Sequence, residues 1–172
     1  LIVQMDYLSS IGDDEAETRH ASEISQKWGS RSLRAFFERA DGSQAMYGVV
    51  HGGVFESLRI ESSEYVRNSE FFGTAIGGCL GDSQEQMYEI VELCMDHAHP
   101  DRPVHLLGIG GIRDILTNVR QGIDTFDCVH PTRIARHGSA LLKGHTYESI
   151  NLKAAYNIGK EEPIDTTCPC ST

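Results

Sequence analysis

Apolar residues gather into short blocks separated by longer amphipathic stretches. The blocks run from Leu1 to Met5, Met46 to Val50, Gly73 to Ile76, Val104 to Leu107 and Ile123 to Phe126, each with the length and continuity of a strand buried on both faces. Between them, Ala21, Ile24, Trp28 and Ala35 fall at helical spacing. A second, weaker helical pattern covers Val54 to about Asn68. Met87, Ile90, Val91, Cys94 and Ala98 mark a third helix, and Ile112, Ile115, Leu116 and Val119 a fourth. Trp28 and the Phe36-Phe37 pair sit inside the first helical pattern and are read as core.

Strict alternation of strand and helix implies a parallel sheet with right-handed crossovers, either open and doubly wound or closed toward a barrel. The strand ends favour the barrel. Each block is followed by a polar or glycine-rich element: Asp6, His51-Gly52-Gly53, Gly77-Gly78, Gly108-Ile109-Gly110 and Asp127. Parallel barrels gather their chemistry on loops at the carboxyl ends of several strands at once. An eight-stranded barrel takes about 250 residues, whereas this chain of 172 residues carries five strand-helix units. The fold expected is therefore α/β, a partial (β/α)8 TIM barrel over residues 1–160. The chain reads as trimmed from a longer protein.

Composition narrows the function classes. With 25 acidic against 15 basic residues, the formal charge of -10 excludes nucleic-acid binding through bulk electrostatics and leaves only a local basic patch. Arg133, Arg136, His137 and Lys143 form the one compact basic group, a solvated face or a phosphate-docking patch. Five scattered cysteines do not form a disulfide framework, so reduced thiols or a metal site are expected. The first residues lack a secretory pattern and no apolar run is long enough to span a bilayer, which predicts a cytoplasmic protein without membrane attachment.

The segment Ile123-Asp124-Thr125-Phe126-Asp127-Cys128-Val129-His130-Pro131-Thr132-Arg133 delivers a carboxylate from a buried strand and then turns at proline. Such a carboxylate can attack the anomeric carbon of a sugar, splitting one hard displacement into two easier ones. Spacing alone favours the plainer alternative, an Asp that caps a turn or helix. It also leaves open a barrel enzyme that holds a phosphorylated small molecule in its glycine loops.

The run from Phe126 to Gly138 resembles the signature of the tRNA-guanine transglycosylases, whose nucleophile is the Asp of an F-D-C-V-x-P-T-R sequence. Further segments match in the same order: Tyr47 to Phe55, Ala75-Ile76-Gly77-Gly78, Leu107-Gly108-Ile109-Gly110, Ile150-Asn151-Leu152-Lys153 and Cys168-Pro169-Cys170. They span essentially the whole chain. The resemblance implies exchange of guanine at the anticodon wobble position for queuine or a related 7-deazaguanine, through a covalent intermediate on Asp127. It makes the tRNA anticodon loop and a guanine-type base the partners, with Arg133, Arg136 and His137 against the RNA. A non-catalytic tRNA-binding or partner subunit of such an enzyme is the alternative.

The same resemblance assigns base recognition to Asp6, His51, Gly77, Gly78 and Cys79. Asp6 would accept hydrogen bonds from the amine and ring N–H of the base. At His51 the family usually places Gln, and at Tyr7-Leu8 it usually places Glu-Cys, so the pocket wall is altered. After the glycine pair this chain has Cys79-Leu80-Gly81-Asp82, with Gly81 in place of the bacterial valine, which suggests room for queuine itself. Cys168 and Cys170 match the start of a structural zinc motif, with the remaining ligands expected beyond residue 172 and the zinc-binding segment beginning at 161. The family's second catalytic Asp has no match, so the isolated fragment is expected to be inactive. The intact protein is expected to be a homodimer.

Overall fold

The computed structural model describes residues 1–145 and 148–169. The chain divides into two compact units, Leu1–Asp127 and Cys128–Thr172. The boundary between the units falls directly after Asp127.

In the first unit five strands alternate with four helices: β1 (Ile2–Val3), α1 (Glu15–Arg39), β2 (Met46–Val50), α2 (Glu56–Asn68), β3 (Gly73–Ile76), α3 (Gln84–His97), β4 (Val104–Leu106), α4 (Ile112–Arg120) and β5 (Thr125–Phe126). Every neighbouring pair is parallel and the spatial order is β1-β2-β3-β4-β5. This curled sheet with its crossover helices is a partial (β/α)8 barrel, as the alternation predicts.

Period-two geometry sorts the sheet's side chains into two faces. Met46, Val50, Ile76, Val104 and Leu106 pack with Val66 of α2 and Met87, Ile90, Val91 and Cys94 of α3 in the main core. The alternate residues Tyr47, Val49 and Ala75 form a second cluster with Leu107 and no helix residue. Register continues that second face across the sheet, since Val49 pairs with Ala75, Ala75 with His105, and His105 with Thr125.

Two helices differ from their sequence pattern. The buried side of α1 is Thr18, Ala21, Ser22, Ser25 and Gly29, whereas Ala35 and Phe37 are exposed and Trp28 is half-buried, its ring edge-on to Tyr7. Small residues let this helix approach closely: a Cβ at Gly29 would stand 2.6 Å from Gln4 Oε1 and 2.8 Å from the Tyr65 hydroxyl. In α4, Ile112, Leu116 and Val119 are exposed and Asn118 is the buried residue. Helix starts follow their capping chemistry. Asp14 and Glu17 form a reciprocal capping box at α1, and the Ser83 hydroxyl accepts from Gln86 N–H at α3.

The second unit contains α5 (His130–Arg136), an antiparallel pair β6 (Ser139–Leu141) and β7 (Ser149–Asn151), and a 3₁₀ turn at Ala155–Asn157. Pro131 lies in the first turn of α5, where its missing N–H costs no helical bond. Among the described residues no helix is long and apolar enough to cross a membrane.

Candidate active site

The carboxyl ends of the first unit's strands hold three groups of polar atoms, and strand register explains each. Val3 pairs with Tyr47, so the residues after β1 and β2 emerge side by side and bring Asp6 against His51. His51 Nε2 lies 3.1 Å from Asp6 Oδ2; the imidazole is 4% exposed and the carboxylate 29%. The approach is close but off-line, which leaves Nε2 without a well-directed hydrogen-bond partner of its own. The His51 contact holds the Asp6 carboxyl below its ordinary pKa, against the opposing effect of partial burial. The backbone N–H of His51 donates to Ser62 Oγ at 2.9 Å, tying the strand end to α2.

At the end of β3, Gly77 is buried and Gly78 is exposed with φ +57, a left-handed conformation that suits glycine. Their carbonyls accept from a residue that reading the sequence missed. Arg59, on α2 and fully buried, donates from Nη1 to Gly77 O at 2.7 Å, from Nη2 to Gly78 O at 2.5 Å and from Nε to Gly53 O at 2.8 Å. Among the described residues no carboxylate lies within ion-pair distance of its guanidinium, so its charge is held by carbonyl dipoles at the ends of β2 and β3. Because the peptides are trans, a carbonyl aimed at Arg59 sends the N–H of the next residue the opposite way. The amides of Gly78 and Cys79 therefore face away from the guanidinium.

Cys79 follows the glycine pair directly. Its side chain is a member of the main core, 1% exposed, and cannot line an open pocket. Burial pushes its thiol up to about 11, with the Arg59 charge offsetting only part of that shift. Only the Cys79 backbone remains available to a ligand.

The third group surrounds Asp127. β4 and β5 pair His105 with Thr125 and Leu106 with Phe126, and alternation returns Asp127 to the face of His105 and Thr125. Asp127 Oδ1 accepts from Gly108 N–H at 2.9 Å and stands 3.1 Å from His105 Nε2. Both contacts fall on the same oxygen. Among the described residues Oδ2 takes no hydrogen bond, and the side chain is 55% exposed. The carboxylate is thus gripped at one oxygen and open at the other, and it closes no turn of its own. His105, the second residue missed in the sequence, carried one signal: a polar side chain at an alternating position of an otherwise apolar strand.

A cleft of about 200 Å³ opens beside the glycine ends of β2 and β3, bounded by the loop from Ser9 to Asp13, by Gly53 and Phe55, and by Gly78, Leu80 and Gly81; Asp6, His51 and Asp127 do not line it. Gly81 has φ +59, and a Cβ there would stand 2.5 Å from Gln86 Oε1. Glycine at this position thus has a backbone reason apart from any substrate.

Arg133, Arg136 and His137 belong to the second unit, at or just past the end of α5, and all three are exposed. Cys168 is exposed, and Cys170 lies outside the described residues. Among the described residues no group of three or more His, Cys, Asp or Glu side chains could hold a metal ion. Two thiols do not complete a tetrahedral set, so these residues by themselves do not fit a closed zinc site.

The model of the family described as queuine tRNA-ribosyltransferase matches residues 1–172. The chain is 45% identical over 130 residues to a queuine tRNA-ribosyltransferase of Roseiflexus sp. (strain RS-1), covering 75% of this chain and 32% of that protein. It is 36% identical over 172 residues to the protein of that name from Solidesulfovibrio magneticus, covering 99% of this chain and 45% of that protein. It is 38% identical over 175 residues to the one from Caulobacter vibrioides, covering 99% and 46%. The chain thus spans less than half the length of the curated relatives it matches. With the family model matching from the first residue to the last, the chain belongs to the queuine tRNA-ribosyltransferase family.

Proposed function

We propose that this chain carries the base pocket and the nucleophile of a tRNA-guanine transglycosylase, a pentosyltransferase that replaces guanine at the wobble position of tRNA with queuine or a related 7-deazaguanine. The observation that carries the reading is the Asp127 carboxylate, fixed at Oδ1 and open at Oδ2 on the end of β5. Family membership supplies the substrate class.

In this reading the target nucleotide is flipped out of the anticodon loop so that its ribose meets Asp127. Oδ2 bonds to C1′ as the C1′–N9 bond breaks, and guanine departs with the bonding pair and is protonated. The incoming base then attacks C1′ through N9 and sheds its N9 proton, and the Asp127 carboxylate leaves. Most of the rate must come from holding C1′ in line between base and carboxylate.

Asp6, kept ionised by His51, is the acceptor for the amine and ring N–H of the base. The amides of Gly78 and Cys79, directed away from Arg59, are donors for its carbonyl oxygen. Asp6 follows β1 and Asp127 follows β5, four strand spacings apart, roughly 19 Å along the sheet, which its curl shortens. Arg133, Arg136 and His137 are assigned to phosphates of the anticodon loop. Zinc enters only as a structural ion with Cys168 and Cys170 among its ligands, and no step passes through it.

Exchange of radiolabelled guanine into tRNA tests the reading in the full-length protein. Incorporation that requires tRNA and is abolished in Asp127→Asn is expected. Binding of tRNA with no exchange would instead favour a non-catalytic subunit. Competition between queuine and its aminomethyl precursor tests the finer assignment at Gly81, and exclusive use of the precursor would overturn it.

A further inference from the structure

His105 lies outside every motif that matched in the sequence, yet it is bonded at both ring nitrogens. Nδ1 is 2.8 Å from Thr125 Oγ1, and Nε2 is 3.1 Å from Asp127 Oδ1. We infer that His105 is a positioning residue for the nucleophile, locking the carboxylate so that Oδ2 alone meets the ribose and polarising the ester that results. The inference rests on the base-exchange reading above.

Hydrogen-bond roles follow from the partners. An ionised carboxylate only accepts, so Nε2 must carry the proton facing Asp127. In a neutral ring Nδ1 is then an acceptor, and the Thr125 hydroxyl must donate to it. Asp127 thus selects the tautomer and Thr125 holds the ring at its other nitrogen, and the pairing of His105 with Thr125 across β4 and β5 fixes both side chains on one face. The ring is 21% exposed and flanked by Tyr47 at 6.3 Å between centroids, which restricts its tilt.

The two donors on Oδ1 act unequally on the two half-reactions. During attack the carboxylate loses negative charge, so N–H donors help by orientation and oppose the step slightly by electrostatics. Once Oδ2 is esterified, Oδ1 is the ester carbonyl and still accepts from His105 Nε2–H and Gly108 N–H. When the second base attacks C1′, the carboxylate regains its charge, and both donors stabilise it as it leaves. Loss of the imidazole donor should therefore slow release of the ribosyl intermediate more than its formation.

The test uses the full-length protein with His105→Phe, His105→Gln and Thr125→Val, reading kcat and KM for tRNA by labelled-guanine exchange and the fraction of enzyme trapped as RNA adduct on a denaturing gel. For His105→Phe, kcat is expected to fall roughly 10- to 100-fold, with KM for tRNA falling alongside it as the intermediate accumulates and a larger trapped fraction than in the unsubstituted enzyme. His105→Gln, which can place an amide N–H where Nε2 stood, should recover most of the rate. Thr125→Val, at an exposed position, should lose a smaller factor in the same direction, and it carries the test should His105→Phe not fold. An unchanged kcat in His105→Phe, an equal loss in His105→Gln, or an unchanged kcat in Thr125→Val would overturn the inference. Absence of both exchange and adduct in the unsubstituted enzyme would overturn the base-exchange reading, and the inference with it.

Discussion

Replacing Arg59 by Met should destabilise the first unit and loosen the proposed base pocket together. The substitution keeps an unbranched apolar stem on α2 but removes every donor to Gly53 O, Gly77 O and Gly78 O. A buried acceptor left without a donor costs about 1–3 kcal/mol. Gly77 is buried and takes that penalty in full, while Gly78 and Gly53 are partly open and can turn to water. The carbonyl of Val50 also loses a long contact of 3.4 Å. Against this, removing an unpaired buried charge returns some desolvation energy. The net loss is estimated at about 2–5 kcal/mol, a large part of the roughly 5–15 kcal/mol that holds a domain together. Lys at this position should recover only part of it, because one ammonium cannot reach three carbonyls as the planar fork does. Urea unfolding followed by Trp28 fluorescence and far-ultraviolet circular dichroism measures the loss, and equilibrium binding of guanine measures the pocket. A loss below about 1 kcal/mol, or guanine affinity unchanged in Arg59→Met, would refute the claim that this guanidinium holds the strand ends.

Asp6 and the buried thiols give two further tests. The Asp6 pKa lies below its ordinary 3.8 because of His51, so its contribution to stability is full above that value and is lost as pH falls through the lower folded value. The stability difference between the unsubstituted protein and Asp6→Asn should shrink as pH falls below about 4; a difference that holds or grows at still lower pH would contradict the pairing. A thiol with a pKa pushed up to about 11, as for Cys79, is ionised at pH 8 to only about one part in a thousand. Alkylation mapped by peptide mass spectrometry should therefore reach the partly exposed Cys128 in the folded protein, and Cys79 and Cys94 only in urea. Rapid labelling of Cys79 under native conditions would show that its side chain opens to the pocket after all.

The strands were legible because Met46–Val50 and Gly73–Ile76 are buried on both faces, and burial on both faces leaves an unbroken apolar run. The shortest strands, Ile2–Val3 and Thr125–Phe126, were read longer than they are, since apolar character continues past the last ladder bond. Helix α1 misleads for the opposite reason. Its contact face is built from Thr18, Ser22, Ser25 and Gly29, and a hydrophobic stripe cannot mark a helix that packs through small polar residues. Asp6, His51 and Asp127 could be singled out as candidates because polar residues at the carboxyl ends of barrel strands carry a positional signal. Arg59 could not, because an arginine on an amphipathic helix ordinarily reads as solvated. Its neighbours Ser62 and Ser63, small and buried on the same helix face, were the available hint that a large side chain was being accommodated. His105 reads as a strand residue until Thr125 and Asp127 are seen beside it. The β6/β7 hairpin is not legible because its strands are only three residues each and partly exposed, with no fully buried position to set a period.

The most direct test of the nucleophile is peptide mapping of the full-length enzyme quenched in mid-reaction with an RNA hairpin bearing the target guanosine. After nuclease digestion, a ribosyl nucleotide should be found on the peptide containing Asp127, attached through its carboxylate, and Asp127→Asn should carry none. A ribosyl group on any other residue, or an adduct that persists in Asp127→Asn, would contradict the account.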